Sequence, residues 1–216
     1  MFEINGVNKV IEVNRVSLTL SKKEILNNIS LRLESGHIYG LVGNNGCGKT
    51  MLMRCICGFV KPTEGYVKAD GKIIGKDVDY LPDAGIIIET PGFIPYYSGL
   101  KNLVVLAGIK NKITKEDMKK AMRQTGLDPE SKMPVKKYSL EMRQRLGLAQ
   151  AIMEQPSVLV LDEPMNGLDK HGVAEVRKLL LSLRTQDKLL LIASHSAEDI
   201  SILCDQVYEM ENGEIV

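Results

Sequence analysis

Apolar and polar residues alternate in three stretches of the first third: Ile11-Glu12-Val13, Val16-Ser17-Leu18-Thr19-Leu20 and Ile29-Ser30-Leu31-Arg32-Leu33. A period of two predicts β-strands joined by turns, with Asn5-Gly6 a candidate hairpin turn. His37-Ile38-Tyr39-Gly40-Leu41-Val42 is a short apolar run that ends at Gly43, and a helix is predicted from Lys49 to about Phe59, stopped near Gly58 and Pro62. The pattern changes between about 90 and 154. Pro91, Gly92, Pro95 and Gly99 punctuate its start. Thr114-Lys115-Glu116-Asp117 reads as a capping start for a basic amphipathic helix reaching Thr125. A further helix is predicted from Ser139 to about Glu154, closed by Gln155-Pro156. This stretch reads as a mostly helical insert.

The last third returns to alternating strand and helix. Val158-Leu159-Val160-Leu161 and Lys188-Leu189-Leu190-Leu191-Ile192-Ala193 are continuous apolar runs, as expected of strands buried on both faces of a parallel sheet. Gly172 to Arg184, between them, is helix-like. Residues 207–216 read as a strand, an Asn212-Gly213 turn and a short return strand. The succession implies right-handed crossovers and ligand sites at the carboxyl ends of the strands.

Composition narrows the function classes. The 216 residues carry 28 Lys and Arg against 27 Asp and Glu, a net charge of +1. That length fits one domain, or a core with an inserted subdomain. The charge balance provides no footprint for bulk nucleic acid or an anionic membrane surface. The longest apolar runs, such as Leu103-Val104-Val105-Leu106-Ala107, fall far short of the roughly 20 residues that cross a bilayer. The N-terminus carries Glu3 and lacks a signal-peptide pattern. Cys47, Cys55, Cys57 and Cys204 match no zinc spacing and are too few for a disulfide framework, so a reducing cytosolic compartment is expected.

Gly43-Asn44-Asn45-Gly46-Cys47-Gly48-Lys49-Thr50 fits the pattern G-x-x-x-x-G-K-[ST]. The glycines let the loop fold back so that its amides face phosphate oxygens. Lys49 places a point charge at the β- and γ-phosphates, the Thr50 hydroxyl can ligate Mg²⁺, and the following helix points its positive end at the anion. The nucleotide-binding candidates are this octet with Met51. Val158-Leu159-Val160-Leu161-Asp162-Glu163 supplies the complementary half: Asp162 can hold Mg²⁺, and Glu163 can polarise a water toward the γ-phosphate. His195, after another apolar run, can donate to the γ-phosphate from a neutral imidazole.

Together these residues resemble the ATPase domain of ATP-binding cassette (ABC) transporters, over essentially the whole chain. Tyr138-Ser139-Leu140-Glu141-Met142-Arg143-Gln144-Arg145 resembles the family signature L-S-G-G-Q with its downstream Q-R motif. Asp162-Glu163-Pro164 and Gly167-Leu168-Asp169 resemble the segment leading into the D-loop, and Ser194-His195 the switch histidine. The resemblance implies a P-loop α/β fold of ABC type with a mostly parallel core sheet, an N-terminal antiparallel β portion and an inserted helical subdomain. On this reading the core is 1–89 and 155–216 and the helical subdomain about 90–154. It implies a head-to-tail dimer holding two ATP molecules, each between the P-loop of one copy and Ser139, Leu140, Glu141 and Met142 of the other. It also implies a separate membrane permease, which places the chain at the inner face of the cell membrane. The stretch Glu89 to Pro95, with Ser98 to Leu103, resembles bacitracin-resistance and lantibiotic self-protection exporters. Relatives acting on DNA carry coiled-coil inserts that are absent here, so no nucleic-acid partner is expected.

Four positions depart from the family pattern. Glu141 stands where glycine is usual. Its charge would approach the partner's γ-phosphate and is expected to weaken closure or hydrolysis, unless its rotamer turns away to solvent. Glu89 replaces a glutamine that touches Mg²⁺ and the attacking water; a glutamate can still ligate the metal. Leu20 falls near the usual adenine-stacking aromatic and offers apolar contact only. Cys47 lies within the phosphate loop, either as a small inert filler or as an oxidation-sensitive thiol. The expected function is MgATP hydrolysis powering an exporter. The competing expectation, motivated by Glu141 and Leu20, is a weakly hydrolysing regulatory subunit in a heterodimer.

Overall fold

The computed structural model describes residues 9–216, and the expected Asn5-Gly6 turn lies outside the described residues. The alternating N-terminal segments form two long strands, β1 (Val10–Leu20) and β2 (Lys23–Glu34). Leu20 pairs with Lys23, so the turn is Ser21-Lys22 alone. Both turn residues have positive φ, 50° and 66°, the type I′ geometry whose twist suits a hairpin. The register of β1 shifts between Val13 and Val16, where Arg15 has φ 46°. That bulge keeps both valines on the buried face although two residues, an even number, separate them.

β1 also pairs with β4 (Glu64–Ala69), which pairs with β5 (Lys72–Ile73), and the four strands form an antiparallel sheet. The second sheet comprises β3 (Ile38–Val42), β6 (Ala84–Ile87), β7 (Val158–Asp162), β8 (Leu189–Ala193), β9 (Gln206–Glu211) and β10 (Glu214–Ile215), in the spatial order β10-β9-β3-β8-β7-β6. All neighbours in it are parallel except the β9–β10 hairpin. The mostly parallel sheet with an antiparallel N-terminal portion is the architecture expected from the sequence.

The helices are α1 (Lys49–Cys57), α2 (Gly99–Lys110), α3 (Lys115–Gln124), α4 (Leu140–Ile152), α5 (Lys170–Leu183) and α6 (Ala197–Leu203). α1 ends at Gly58, whose φ of 84° makes the left-handed cap. α3 starts in a full capping box, Thr114 and Asp117 each bonding the other's backbone N–H. The apolar runs of β7 and β8 are buried on both faces. Val158, Val160, Leu189 and Leu191 join one core with α1 and the antiparallel sheet. Leu159, Leu161, Leu190 and Ile192 join a second core with Leu103, Met122 and Leu146 of α2, α3 and α4. The helical stretch therefore shares its core with the parallel sheet. The antiparallel sheet is stitched to the parallel one at Asn27, whose N–H donates to Gly213 O at 2.8 Å.

Candidate nucleotide site

β3, β8 and β7 are adjacent and parallel, so the residues that follow each strand emerge at one edge of the sheet. Those residues are the Gly43–Thr50 loop after β3, Asp162-Glu163 at the end of β7, and Ser194-His195 after β8. Strands about 4.8 Å apart place such ends within side-chain reach. The Thr50 hydroxyl donates to Asp162 Oδ2 at 2.7 Å, across 112 residues of chain. His195 Nδ1 meets Glu163 Oε2 at 2.8 Å.

The loop has no room for side chains at two of its glycines. Gly43 has φ 145°, and a Cβ there would stand 2.2 Å from the Met210 carbonyl oxygen. Gly48, at φ 112°, is the N-cap of α1 and provides no side-chain cap, so the first-turn amides of α1 keep their donor capacity for an anion. Lys49 is buried, and its Nζ donates to Gly43 O at 2.6 Å and Asn44 O at 3.1 Å. The ammonium is thus held inside the curve of its own loop. Cys47 is buried with Sγ 3.8 Å from Lys49 Nζ. Burial pushes the Cys55 thiol up to about 11 and the Cys57 thiol up to about 12, so both remain protonated at neutral pH.

An ionised carboxylate only accepts hydrogen bonds, so His195 Nδ1 carries the proton of the bond to Glu163. A neutral ring then offers Nε2 as an acceptor alone. Donation to a phosphate oxygen, expected of neutral His195 from sequence, requires either the imidazolium or release from Glu163. Glu163 itself has φ 49°, a left-handed conformation that costs a non-glycine residue about 1–2 kcal/mol. The surrounding turn imposes it: Glu163 N–H donates to Ala193 O, and Asn166 N–H donates to Glu163 O.

The signature residues are placed less uniformly. Ser139 Oγ accepts the Met142 N–H at 3.1 Å as the N-cap of α4. Leu140 is 61 % exposed, whereas Met142 packs against the second core. Glu141 turns along its helix rather than off its end, stays partly exposed, and accepts from Arg145 Nε at 2.9 Å. Arg145 is buried and also binds Glu175 at 2.8 Å and the Thr125 carbonyl at 3.0 Å. Burial opposes its charge, but the bonds to Glu175 and Glu141 outweigh that and hold its pKa above the ordinary arginine value. The pairing offsets much of the negative charge that Glu141 brings to the segment. Exposed i,i+4 pairs contribute about 0.3–0.5 kcal/mol, so Glu141→Gln is expected to lower the melting midpoint by only about 1–2 °C, read by differential scanning calorimetry.

Asp169 caps α5 by accepting the Gly172 N–H at 2.7 Å. Glu89 does not join Thr50 and Asp162. Its carboxylate binds Arg54 of α1 at 2.6 Å, and it lines a cleft of about 220 Å³ with Asp162, Glu163 and Gln144. Leu20 is exposed at the turn end of β1. Two contacts were not legible in the chain. Gln144 reaches the carbonyls of Glu163 and Pro164, and Arg177 binds the buried Asp199 through Nε at 2.8 Å. Asp199 in turn accepts the Ser194 hydroxyl beside His195 at 3.3 Å. Only the adjacency of α4, α5 and α6 to the strand ends reveals these partners.

The sequence profile of the ABC transporters matches residues 26–166. The chain belongs to the ABC transporter family. Its cassette is an ATP-binding ATPase domain. YybJ of Bacillus subtilis, an uncharacterized ABC transporter ATP-binding protein, is 41 % identical over 95 % of this cassette and 94 % of its own length. The bacitracin transport ATP-binding protein BcrA of Enterococcus faecalis is 37 % identical over 96 % of this cassette and 68 % of its own length. The dimeric structure of MJ0796, a bacterial ABC transporter cassette, matches with a TM-score of 0.85 at 20 % identity, covering 95 % of this chain and 96 % of that one. That likeness establishes the fold. Among the described residues no helix is long and apolar enough to cross a membrane.

Proposed function

We propose that this cassette hydrolyses MgATP as the motor subunit of an exporter-type transporter, paired with a second cassette and docked on a permease in a separate chain. The observation that carries the reading is the convergence of Thr50–Asp162 and Glu163–His195 beside Lys49 at one sheet edge. Lys49 exchanges the carbonyls of Gly43 and Asn44 for the β- and γ-phosphates, and the free amides of the loop and α1 take the remaining phosphate oxygens. Thr50 and Asp162 are the residues that would hold Mg²⁺, and their hard oxygen donors, already adjacent, suit that ion. Bound Mg²⁺ supplies neutralisation of the phosphate charge. Glu163 orients the attacking water and accepts its proton, and His195 donates to the γ-phosphate as the imidazolium or after release from Glu163. Leu20 provides an apolar contact for the base.

Two further features support the partners. Leu140 and the Ser139 cap stand at the exposed start of α4, where a second cassette can present its own phosphates. A groove of about 420 Å³ lined by Phe59, Ile86, Ile88, Pro91 and Ile109 lies between the parallel sheet and α2, and its apolar floor suits a permease segment. The likeness to BcrA supports an amphipathic peptide antibiotic as cargo, with the cassette at the inner face of the membrane. The competing reading, a weakly hydrolysing regulatory subunit, rests on Glu141 and Leu20.

Light scattering after gel filtration on Glu163→Gln tests the pairing. Blocking hydrolysis preserves any closed dimer, so the variant is expected to run as a monomer without nucleotide and as a dimer with MgATP. A monomer in both conditions, with ATP binding confirmed by equilibrium dialysis, would exclude self-pairing and favour a heterodimer.

A further inference from the structure

Gln144 lies on α4, between the Ser139 cap and the helix middle. Its side-chain Nε2 donates to Glu163 O at 3.2 Å and to Pro164 O at 3.0 Å. The Glu163 carbonyl accepts a second bond from the Asn166 N–H at 3.0 Å. The residue held this way has a φ of 49°, a conformation that persists only where the surroundings over-determine it. A second contact lies beside the first: a Cβ added at Gly167 would meet Leu140 Cδ2 at 2.6 Å. The start of α4 therefore grips the turn from Glu163 to Gly167 at two points, one polar and one apolar.

We propose that Gln144 is a positioning residue, tying the helix that begins at the signature segment to the peptide that aims the Glu163 carboxylate. The inference rests on the role proposed above for Glu163. A small shift or rotation of α4 moves the amide, and the doubly held carbonyl makes the Glu163 turn follow. In a head-to-tail pair, the start of α4 faces the partner's ATP while Glu163 faces the ATP of its own chain. Gln144 then links the two sites within one protomer. Occupation of the partner's site, felt at Ser139 and Leu140, sets the aim of Glu163 toward its own water.

Two substitutions in the full chain test this. Gln144→Leu keeps most of the bulk and loses the donor, and Gln144→Glu keeps the shape but turns an acceptor toward two carbonyls. Both are expected to lower kcat for MgATP about tenfold with KM within about twofold of the parent. Amide hydrogen exchange at Glu163–Asn166, followed by mass spectrometry, is expected to quicken about tenfold while β7 and α1 keep their rates. A kcat within about twofold of the parent overturns the proposal, as does a KM rising in step with the loss of kcat. Unchanged exchange at Glu163–Asn166 overturns it as well. A parent chain that hydrolyses no MgATP counts against the proposed function alone, and the exchange measurement then decides the role of Gln144.

Discussion

Replacing Glu163 with glutamine is expected to stop MgATP turnover, lowering kcat by at least about 100-fold while ATP remains bound. A positioned general base contributes about 100- to 10,000-fold, and glutamine cannot accept a proton from water. The substitution is otherwise conservative. A glutamine oxygen can still accept the His195 Nδ1–H, now made by Glu163 at 2.8 Å. The backbone bonds that fix the turn, from Glu163 N–H to Ala193 O and from Asn166 N–H to Glu163 O, do not involve the side chain. Lys49, the loop amides and Thr50 lie on other elements and keep their hold on phosphate. Steady-state phosphate release measures the first expectation, and fluorescence titration with a labelled ATP measures the second. Retained turnover would remove Glu163 from the mechanism, and a large loss of ATP affinity would mean that it mainly supports the loop.

Arg145→Leu is expected to cost about 2–3 kcal/mol of stability, a fall of roughly 5–10 °C in melting midpoint. Breaking a buried pair by removing one partner costs about 3–5 kcal/mol. The value here is lower because the stranded carboxylates reach solvent: the Glu141 and Glu175 side chains are 30 % and 46 % exposed. The Thr125 carbonyl, at the end of α3, loses its guanidinium donor inside the protein, and an orphaned buried acceptor alone costs about 1–3 kcal/mol. Three elements, α3, α4 and α5, lose their common tie. Chemical denaturation with urea reads the change. A loss no larger than that of Glu141→Gln would show that leucine packing compensates for the whole network.

Several elements were legible because local chemistry specifies them alone. The capping box at Thr114, the Asn212-Gly213 turn and the Gly58 stop are satisfied within a few residues, and each stands where the pattern puts it. The continuous apolar runs of β7 and β8 were legible because burial on both faces leaves no polar positions. The Ser21-Lys22 turn was not, since neither residue is a habitual carrier of positive φ. The hairpin imposes that conformation through the pairing of Leu20 with Lys23. β4, β6 and α6 were also missed: β4 buries only Val67 and Ala69, β6 spans four residues and α6 seven.

The same division holds at the site. The order of glycines, Lys49 and Thr50, and the position of Asp162-Glu163 at the end of an apolar run, were readable because phosphate and metal chemistry restrict the residue types at fixed spacing. The orientation of charged side chains was not. Glu141 read as a charge directed at a partner's phosphate, whereas in the folded chain it lies against Arg145. Glu89 read as a metal ligand, and in the folded chain its carboxylate meets Arg54 of α1 while lining the cleft of Asp162. In both cases the carboxylate meets a cation brought close by helix geometry or by packing. The sequence by itself determined the family, the fold class and the candidate phosphate-binding residues, because those depend on residue types at local spacings. Only the tertiary structure decided which charges pair and that Gln144 holds the Glu163 turn, because those contacts join segments that are distant in the chain or depend on the exact facing of a helix.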